Sequence, residues 1–312
     1  MAANVDVRAL LDPEIAAALA AFPLGLGALS AATLPQIRQG FAQRAPVPVS
    51  DQVQRTDHDL PARPGVSVRV HRPVNASGAL PCIYWMHGGG LILGTNQNDD
   101  PRFDRWCQLL NCIGVSVEYR LAPEFAYPVP LEDCYAGLVW VRANAVSLGV
   151  DVNRIGVSGA SAGAGLAAGL ALLARDRAEV PLAFQALIYP MIDDRMITPS
   201  SAWSDPVWPP SANSFGWRSY LGDLGDTVPY YAAAARATDL AALPRSFISV
   251  GALDGFSDED IDYAVRLRHA GVATELHVYP GAPHGFDGLA PNTAIARRAN
   301  RDIEEWLAVA LR

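Results

Sequence analysis

Residues 159–163 read Gly-Ala-Ser-Ala-Gly, a G-x-S-x-G pattern centred on Ser161. It lies between an apolar run, RIGVSG (154–159), and an Ala/Gly/Leu-rich stretch at 162–176. A serine hydroxyl attacks a carbonyl only if a neighbouring base takes its proton. A strand that turns sharply into a helix lifts such a serine above a sheet. The turn strains the backbone at the serine and leaves room only for tiny residues two positions to either side. It also aims the N–H of Ala162 and the positive end of the following helix at any oxyanion formed there. A tight packing turn or a phosphate loop can share this pattern, but the strand before it and the helix after it favour a nucleophile.

A second cluster, His87-Gly88-Gly89-Gly90, directly follows an apolar run ending at Met86. Three glycines after a buried strand let the backbone approach a ligand and turn its N–H groups toward it. Tetrahedral intermediates of acyl transfer need such donors, and losing one typically costs about 10²–10³ in rate. His87 reads as a residue that, with Gly88, keeps the loop in shape through hydrogen bonds, not as a proton carrier.

The base must reach the serine from a loop. Of the six histidines, His71 and His277 fall within strand patterns, His269 in a helix pattern, and His58 before the core. His284, in YPGAPHGF, lies on a loop after the last strand, where Pro280, Gly281 and Pro283 restrict the backbone. For the acid that orients it, GALDGFSDED offers Asp254, Asp258, Glu259 and Asp260. Asp258 and Glu259 also suit the first turn of a helix, where negative charge complements the dipole.

These residues must be carried on a scaffold that alternates strand and helix. SVRVHR (67–72) alternates as a half-exposed strand, and LPCIYWMH (80–87) is a continuous apolar run of the kind buried on both faces. Further strands are expected at 113–120, 154–159, 184–190, 246–251 and 274–280. Helices are expected at 102–111, 130–148, 162–176, 258–270 and 293–311. That alternation predicts an α/β protein with a mostly parallel sheet and helices on both faces. Short helices at 13–22 and about 33–44 precede it, separated by Pro23, Gly25 and Gly27, and the Pro-rich APVPVS (45–50) closes this N-terminal segment. Residues 191–235 show no convincing strand and are rich in Pro, Ser and aromatics: Trp203, Trp208, Phe215, Trp217 and Tyr220. An insertion of this size between core strands is more often functional than idle. The expected organisation is an N-terminal cap segment (1–50), a first core part (51–190), a cap insertion (191–235) and a second core part (236–312).

The 312-residue chain is half apolar, with 18% charged residues and a formal net charge of -8. This is the composition of a well-buried globular protein. An acidic chain without a Lys/Arg run is a poor candidate for nucleic acid or an anionic membrane. The N-terminal residues lack a basic region and carry Asp6, Asp12 and Glu14, unlike a secretory signal. No stretch reaches the ~18 uncharged apolar residues of a membrane span. Four scattered cysteines (Cys82, Cys107, Cys112, Cys134), with no CxxC or Cys/His cluster, suggest reduced buried thiols, a cytoplasmic location and no metal site.

HGGG (87–90), YRLAPE (119–124), GASAG (159–163) and the Asp-…-HGF ending together resemble the hormone-sensitive-lipase-like branch of the α/β-hydrolases, the bacterial family IV esterases. The resemblance extends from about residue 65 to 312. It implies an α/β-hydrolase fold with an eight-stranded, mostly parallel core and a helical cap. It implies hydrolysis of short- to medium-chain carboxylic esters, oxyanion N–H groups from Gly89, Gly90 and Ala162, and a possible homodimer. It also selects Asp254, the first Asp of a D-P-L-R-D-like run that here reads Asp254-Gly-Phe-Ser-Asp258, with Asp258 as runner-up. The chain departs from the branch at Ala160, where Asp, Glu or Thr is common.

The expected function is thus a serine carboxylesterase working through an acyl-enzyme, with Ser161 as nucleophile, His284 as base and Asp254 as its orienting acid. It needs an ester and water but no metal or organic cofactor. Leu91, Trp208, Phe215 and Trp217 are candidates for the pocket walls. An amidase or acyltransferase would use the same three side chains, because the fold does not set the bond cleaved. A ligand-binding receptor on a hydrolase scaffold is disfavoured by the presence of all three.

Overall fold

The apolar runs of the chain become the interior of one eight-stranded sheet. The computed structural model describes residues 5–21, 26–43, 47–225 and 227–312. The separators Pro23 and Gly25, and the first two residues of APVPVS, lie outside the described residues. In chain order the strands are β1 (Val53–Asp59), β2 (Ser67–Pro73), β3 (Leu80–Met86), β4 (Ile113–Glu118), β5 (Val150–Ala160), β6 (Phe184–Ile188), β7 (Arg245–Gly251) and β8 (Thr274–Tyr279). Their spatial order is β1-β2-β4-β3-β5-β6-β7-β8. β1 and β2 pair antiparallel, as do β2 and β4, and every other pairing is parallel.

The helices are α1 (Val7–Leu10), α2 (Pro13–Ala21), α3 (Leu34–Ala42), α4 (Asp100–Leu110), α5 (Val129–Ala143), α6 (Ala145–Leu148), α7 (Ala162–Arg177), α8 (Pro210–Leu221), α9 (Ser257–His269), α10 (Phe286–Leu289) and α11 (Ala294–Ala310). They cover both faces of the sheet, which is why β3 is apolar at every position. Alternation along the strand assigns each residue to a layer. Cys82, Tyr84 and Met86 join the cluster containing Leu138 of α5, Leu170 of α7 and Leu267 of α9. Ile83 and Trp85 join Phe103 and Trp106 of α4 and Trp306 of α11. In that second layer Trp85 meets Trp106 edge-on at 5.7 Å between ring centroids, a favoured aromatic geometry. A smaller cluster joins Ile15 of α2 to Tyr279 and Phe286, so the N-terminal segment rests beside the end of β8.

Besides the four-residue helices α1 and α10, three elements depart from the sequence reading. β1 was not anticipated: it is an edge strand with the sequence VQRTDHD, and Val53 alone among its residues is buried, so it carries no apolar signal. The helix expected over 130–148 is interrupted at Asn144, which separates α5 from α6. The strand expected at 154–159 begins earlier, at Val150. In the 191–235 stretch the described residues hold α8 and two short 3-10 turns, Ser200–Ala202 and Ala234–Arg236, and no strand. Among the described residues no helix is long and apolar enough to cross a membrane.

The parallel strands β3, β5, β6, β7 and β8 all end at the same edge, at Met86, Ala160, Ile188, Gly251 and Tyr279. In open α/β sheets this carboxyl edge is where loops converge to form a site. The residues singled out for chemistry all lie on loops leaving it.

Candidate active site

Ser161 is the single residue between β5 and α7, with φ 57° and ψ −125°, a conformation that L-residues rarely adopt. Main-chain bonds hold it there. Its N–H donates to the Ile188 carbonyl at 2.9 Å, and its carbonyl accepts from Gly165 and Met191 at 3.0 and 3.1 Å. The flanking glycines are steric requirements: a Cβ on Gly163 would lie 2.1 Å from the Met86 carbonyl oxygen, and one on Gly159 would lie 2.5 Å from the Gly163 backbone. Ala162 opens α7, so its N–H has no partner within the helix.

His284 Nε2 lies 2.8 Å from Ser161 Oγ, and His284 Nδ1 lies 2.8 Å from Asp254 Oδ2. All three residues are buried. A carboxylate can only accept, so Nδ1–H donates to Asp254 and the serine hydroxyl donates to Nε2, the tautomer that a general base needs. Asp254 Oδ1 in turn accepts the Phe256 N–H at 2.9 Å. Phe256 and Tyr189 meet the imidazole edge-on at 5.0 and 4.9 Å, limiting its freedom to swing. The runner-up acid, Asp258, is engaged elsewhere: its carboxylate accepts the Ser200 N–H at 2.8 Å, and its own N–H donates to Ser200 Oγ. Glu259 accepts the N–H groups of Ile192 and Asp193 and so anchors the start of the insertion.

The glycine loop has a run of positive φ at Gly89 (121°), Gly90 (61°) and Leu91 (67°). The carbonyl of Gly89 accepts from Ile92 and Leu93, which closes the turn. His87 Nδ1–H donates to the Gly88 carbonyl at 2.9 Å, and the ring stacks on Tyr119 at 4.2 Å, whose hydroxyl donates to the His87 carbonyl. Burial pushes the His87 imidazole down to about 4, so it remains neutral and braces the loop. Tyr119 is the first residue of YRLAPE, a motif whose role only the fold reveals. Arg38 of α3 donates to the carbonyls of Ile92 and Ala122 and pairs with Glu124, tying the N-terminal segment to the exit of this loop.

Of the residues expected to line the pocket, Trp208 lies against the glycine loop. A Cβ on Gly90 would be 2.2 Å from its ring, and one on Gly216 of α8 would be 2.8 Å from the Gly90 carbonyl oxygen, so both glycines admit tight contact between the glycine loop and the insertion. Leu91 and Trp217 are buried in the main apolar cluster, and Phe215 packs partly buried against it. Asp205, two residues after Trp203 in the insertion, escaped sequence reasoning altogether. Its buried carboxylate accepts the His284 main-chain N–H at 2.8 Å.

Burial disfavours the His284 imidazolium, but the negative charges of Asp254, Asp205 and Asp287 outweigh it, and the balance raises the group above the ordinary histidine value of 6.5. A base must be unprotonated to act. The kcat/KM of any reaction using it should therefore fall on the acid side with a midpoint above 6.5. A pH profile with full activity well below that value would show that His284 is not the titrating base.

A profile of the family described as alpha/beta hydrolase fold matches residues 83–288. Esterase LipI of Mycobacterium tuberculosis is 32% identical over 308 residues, spanning 96% of this chain and 95% of its own length. Carboxylesterase NlhH of the same species is 36% identical over 233 residues, 72% of each chain. Among solved structures, a bacterial heroin esterase superposes with a TM-score of 0.90 at 38% identity, over 97% of this chain and 99% of its own.

Proposed function

The chain belongs to the α/β-hydrolase family, in its hormone-sensitive-lipase-like branch, and from that premise we propose that it is a serine carboxylesterase for short- to medium-chain esters. The observation that carries the reading is the chain of 2.8 Å contacts from Asp254 through His284 to Ser161. Similarity to proteins named esterase and carboxylesterase supports the choice of an ester bond.

In the proposed reaction Ser161 Oγ attacks the ester carbonyl as its proton passes to His284 Nε2. The carbonyl oxygen, now negative, is met by the N–H groups of Gly89, Gly90 and Ala162. His284 then gives the proton to the departing alcohol oxygen, leaving an acyl-Ser161 ester. Water, deprotonated by the same imidazole, attacks that ester, and the acid leaves as Ser161 regains its proton. Asp254 keeps Nε2 facing the serine and stabilises the imidazolium formed in each half. None of these steps calls on a metal or organic cofactor.

We assign residues 1–50 and 191–235 to a cap over this site. The contacts of Arg38 with the glycine-loop exit and of Trp208 with Gly90 support that assignment. A cytoplasmic location, supported by four free buried thiols, and a homodimer complete the proposal. The test is hydrolysis of p-nitrophenyl acetate, butyrate, octanoate and palmitate alongside a matched anilide. A small, aromatic-walled pocket should give kcat/KM values highest for acetate or butyrate and at least about tenfold lower for palmitate. Faster cleavage of the anilide would replace the esterase with an amidase, and preference for emulsified long-chain triglyceride would replace it with a lipase.

A further inference from the structure

We propose that Asp205 is a positioning residue for the general base, its carboxylate fastening the His284 backbone to the turn that seats Trp208 on the glycine loop. The proposal rests on the esterase reading above and names a part of that machinery on the insertion.

Asp205 is buried, and the described partners of its carboxylate are all main-chain N–H groups. Oδ1 accepts from Val207 at 2.7 Å and from Trp208 at 2.9 Å, while Oδ2 accepts from His284 at 2.8 Å. His284, 79 positions from Asp205 in the chain, thus shares one carboxylate with the 205–208 turn. His284 is consequently held at both ends, its ring by Asp254 and its main chain by Asp205. The restraint is needed because Gly285, at φ 67°, gives the chain after the base an unusually free joint.

On its other side Asp205 fixes the N–H of Trp208, whose ring lies where a Gly90 side chain would be. The base loop and the oxyanion loop are therefore referenced to one group. A general base misplaced by an ångström can cost about 10² in rate, and no contact with substrate is required for that loss.

The charge of Asp205 acts as well. The imidazole is faced by Asp254 from the loop after β7, Asp205 from the insertion and Asp287 from α10. Arg102 of α4 pairs with Asp287, and Tyr189 after β6 donates to it. Burial and the negative charge of Asp254 push Asp205 up to about 6, against the pull of the His284 charge and of the His284 and Trp208 N–H donors. Its ionisation is thus linked to that of the base. Loss of its negative charge destabilises the imidazolium and moves the His284 titration to lower pH.

The test compares the full-length protein with Asp205→Asn and Asp205→Ala, using p-nitrophenyl butyrate across pH and nuclear magnetic resonance of histidine-labelled protein. In Asp205→Asn an acceptor remains but the charge is gone. We expect the acid limb of kcat/KM and the His284 titration to move together to lower pH, with kcat reduced less than in Asp205→Ala. In Asp205→Ala, kcat should fall about 10–10²-fold with KM within about threefold, because positioning rather than binding is lost. Should Asp205→Ala fail to fold, Asp205→Asn carries the test alone. An unchanged kcat and acid limb in Asp205→Asn, or a rise in KM with both unchanged, would overturn the proposal. The resonance readout needs no turnover. It therefore reports on Asp205 even if Ser161→Ala hydrolyses esters at the wild-type rate, which is the separate result that defeats the esterase reading.

Discussion

Ser161→Ala is expected to lower kcat on soluble p-nitrophenyl esters by roughly 10⁴–10⁶-fold, because no other described group at the His284 imidazole is placed to attack. The loss should leave folding nearly unchanged. The elbow is held by main-chain bonds from Ser161 to Ile188, Gly165 and Met191, all of which an alanine retains. Alanine also keeps the Cβ, so the close packing of Gly159 and Gly163 is undisturbed. The side chain contributes one hydrogen bond, to His284, whose removal changes stability by about 1 kcal/mol. An organophosphonate should inactivate the wild-type protein with one equivalent bound at Ser161, located by mass spectrometry, and should leave the variant unlabelled. Hydrolysis by Ser161→Ala at the wild-type rate would show that another nucleophile acts.

Asp254→Asn should be the next most damaging change, reducing kcat by about 10³–10⁴-fold with a preserved fold. An amide at this position offers N–H groups to Nδ1, which favours the tautomer carrying its proton on Nε2. That proton then points at Ser161 and cannot be exchanged for the serine's. The imidazolium formed during attack also loses the negative charge nearest to it. Asp258→Asn is the matched control. Asp258 serves the junction of Ser200 with α9 and has no bond to the imidazole, and the variant should stay within about threefold of wild type because the remaining amide oxygen can still accept the Ser200 N–H. If Asp258→Asn were the more damaging of the two, the acid would have to be reassigned.

Much of the site is legible in the sequence because its parts obey local rules. A serine lifted on a strand–helix turn demands small neighbours, and Gly159 and Gly163 stand where any side chain would strike backbone. The glycine loop must twist through positive φ at successive residues, and a run of glycines announces it. Strands β3, β4 and β5 are sandwiched between helices, so burial on both faces writes long apolar runs into the chain. β1 obeys none of these rules. One of its faces meets solvent and its outer edge has no partner strand among the described residues, and VQRTDHD therefore looks like a loop.

The acids divide along the same line. Asp254, Asp258, Glu259 and Asp260 are near neighbours of the same charge type, and spacing cannot rank them. Family resemblance selects Asp254. In the structure the ranking is geometric: the chain turns so that Asp254 meets His284, Asp258 meets Ser200, and Glu259 meets the backbone of the insertion. Asp205 signals at most a local turn with Val207 and Trp208, and its bond to the His284 N–H, far along the chain, leaves no pattern. Local order gave the chemistry of Ser161, the shape of the glycine loop and the alternation of the core, because burial and backbone strain select residue types one position at a time. That Asp254 and not its acidic neighbours meets His284, and that Trp208 rests on Gly90, is decided geometrically by the way distant segments pack at the carboxyl edge of the sheet. Contacts of that kind depend on the directions in which whole elements approach, and those directions leave no periodic trace in the residues that make them.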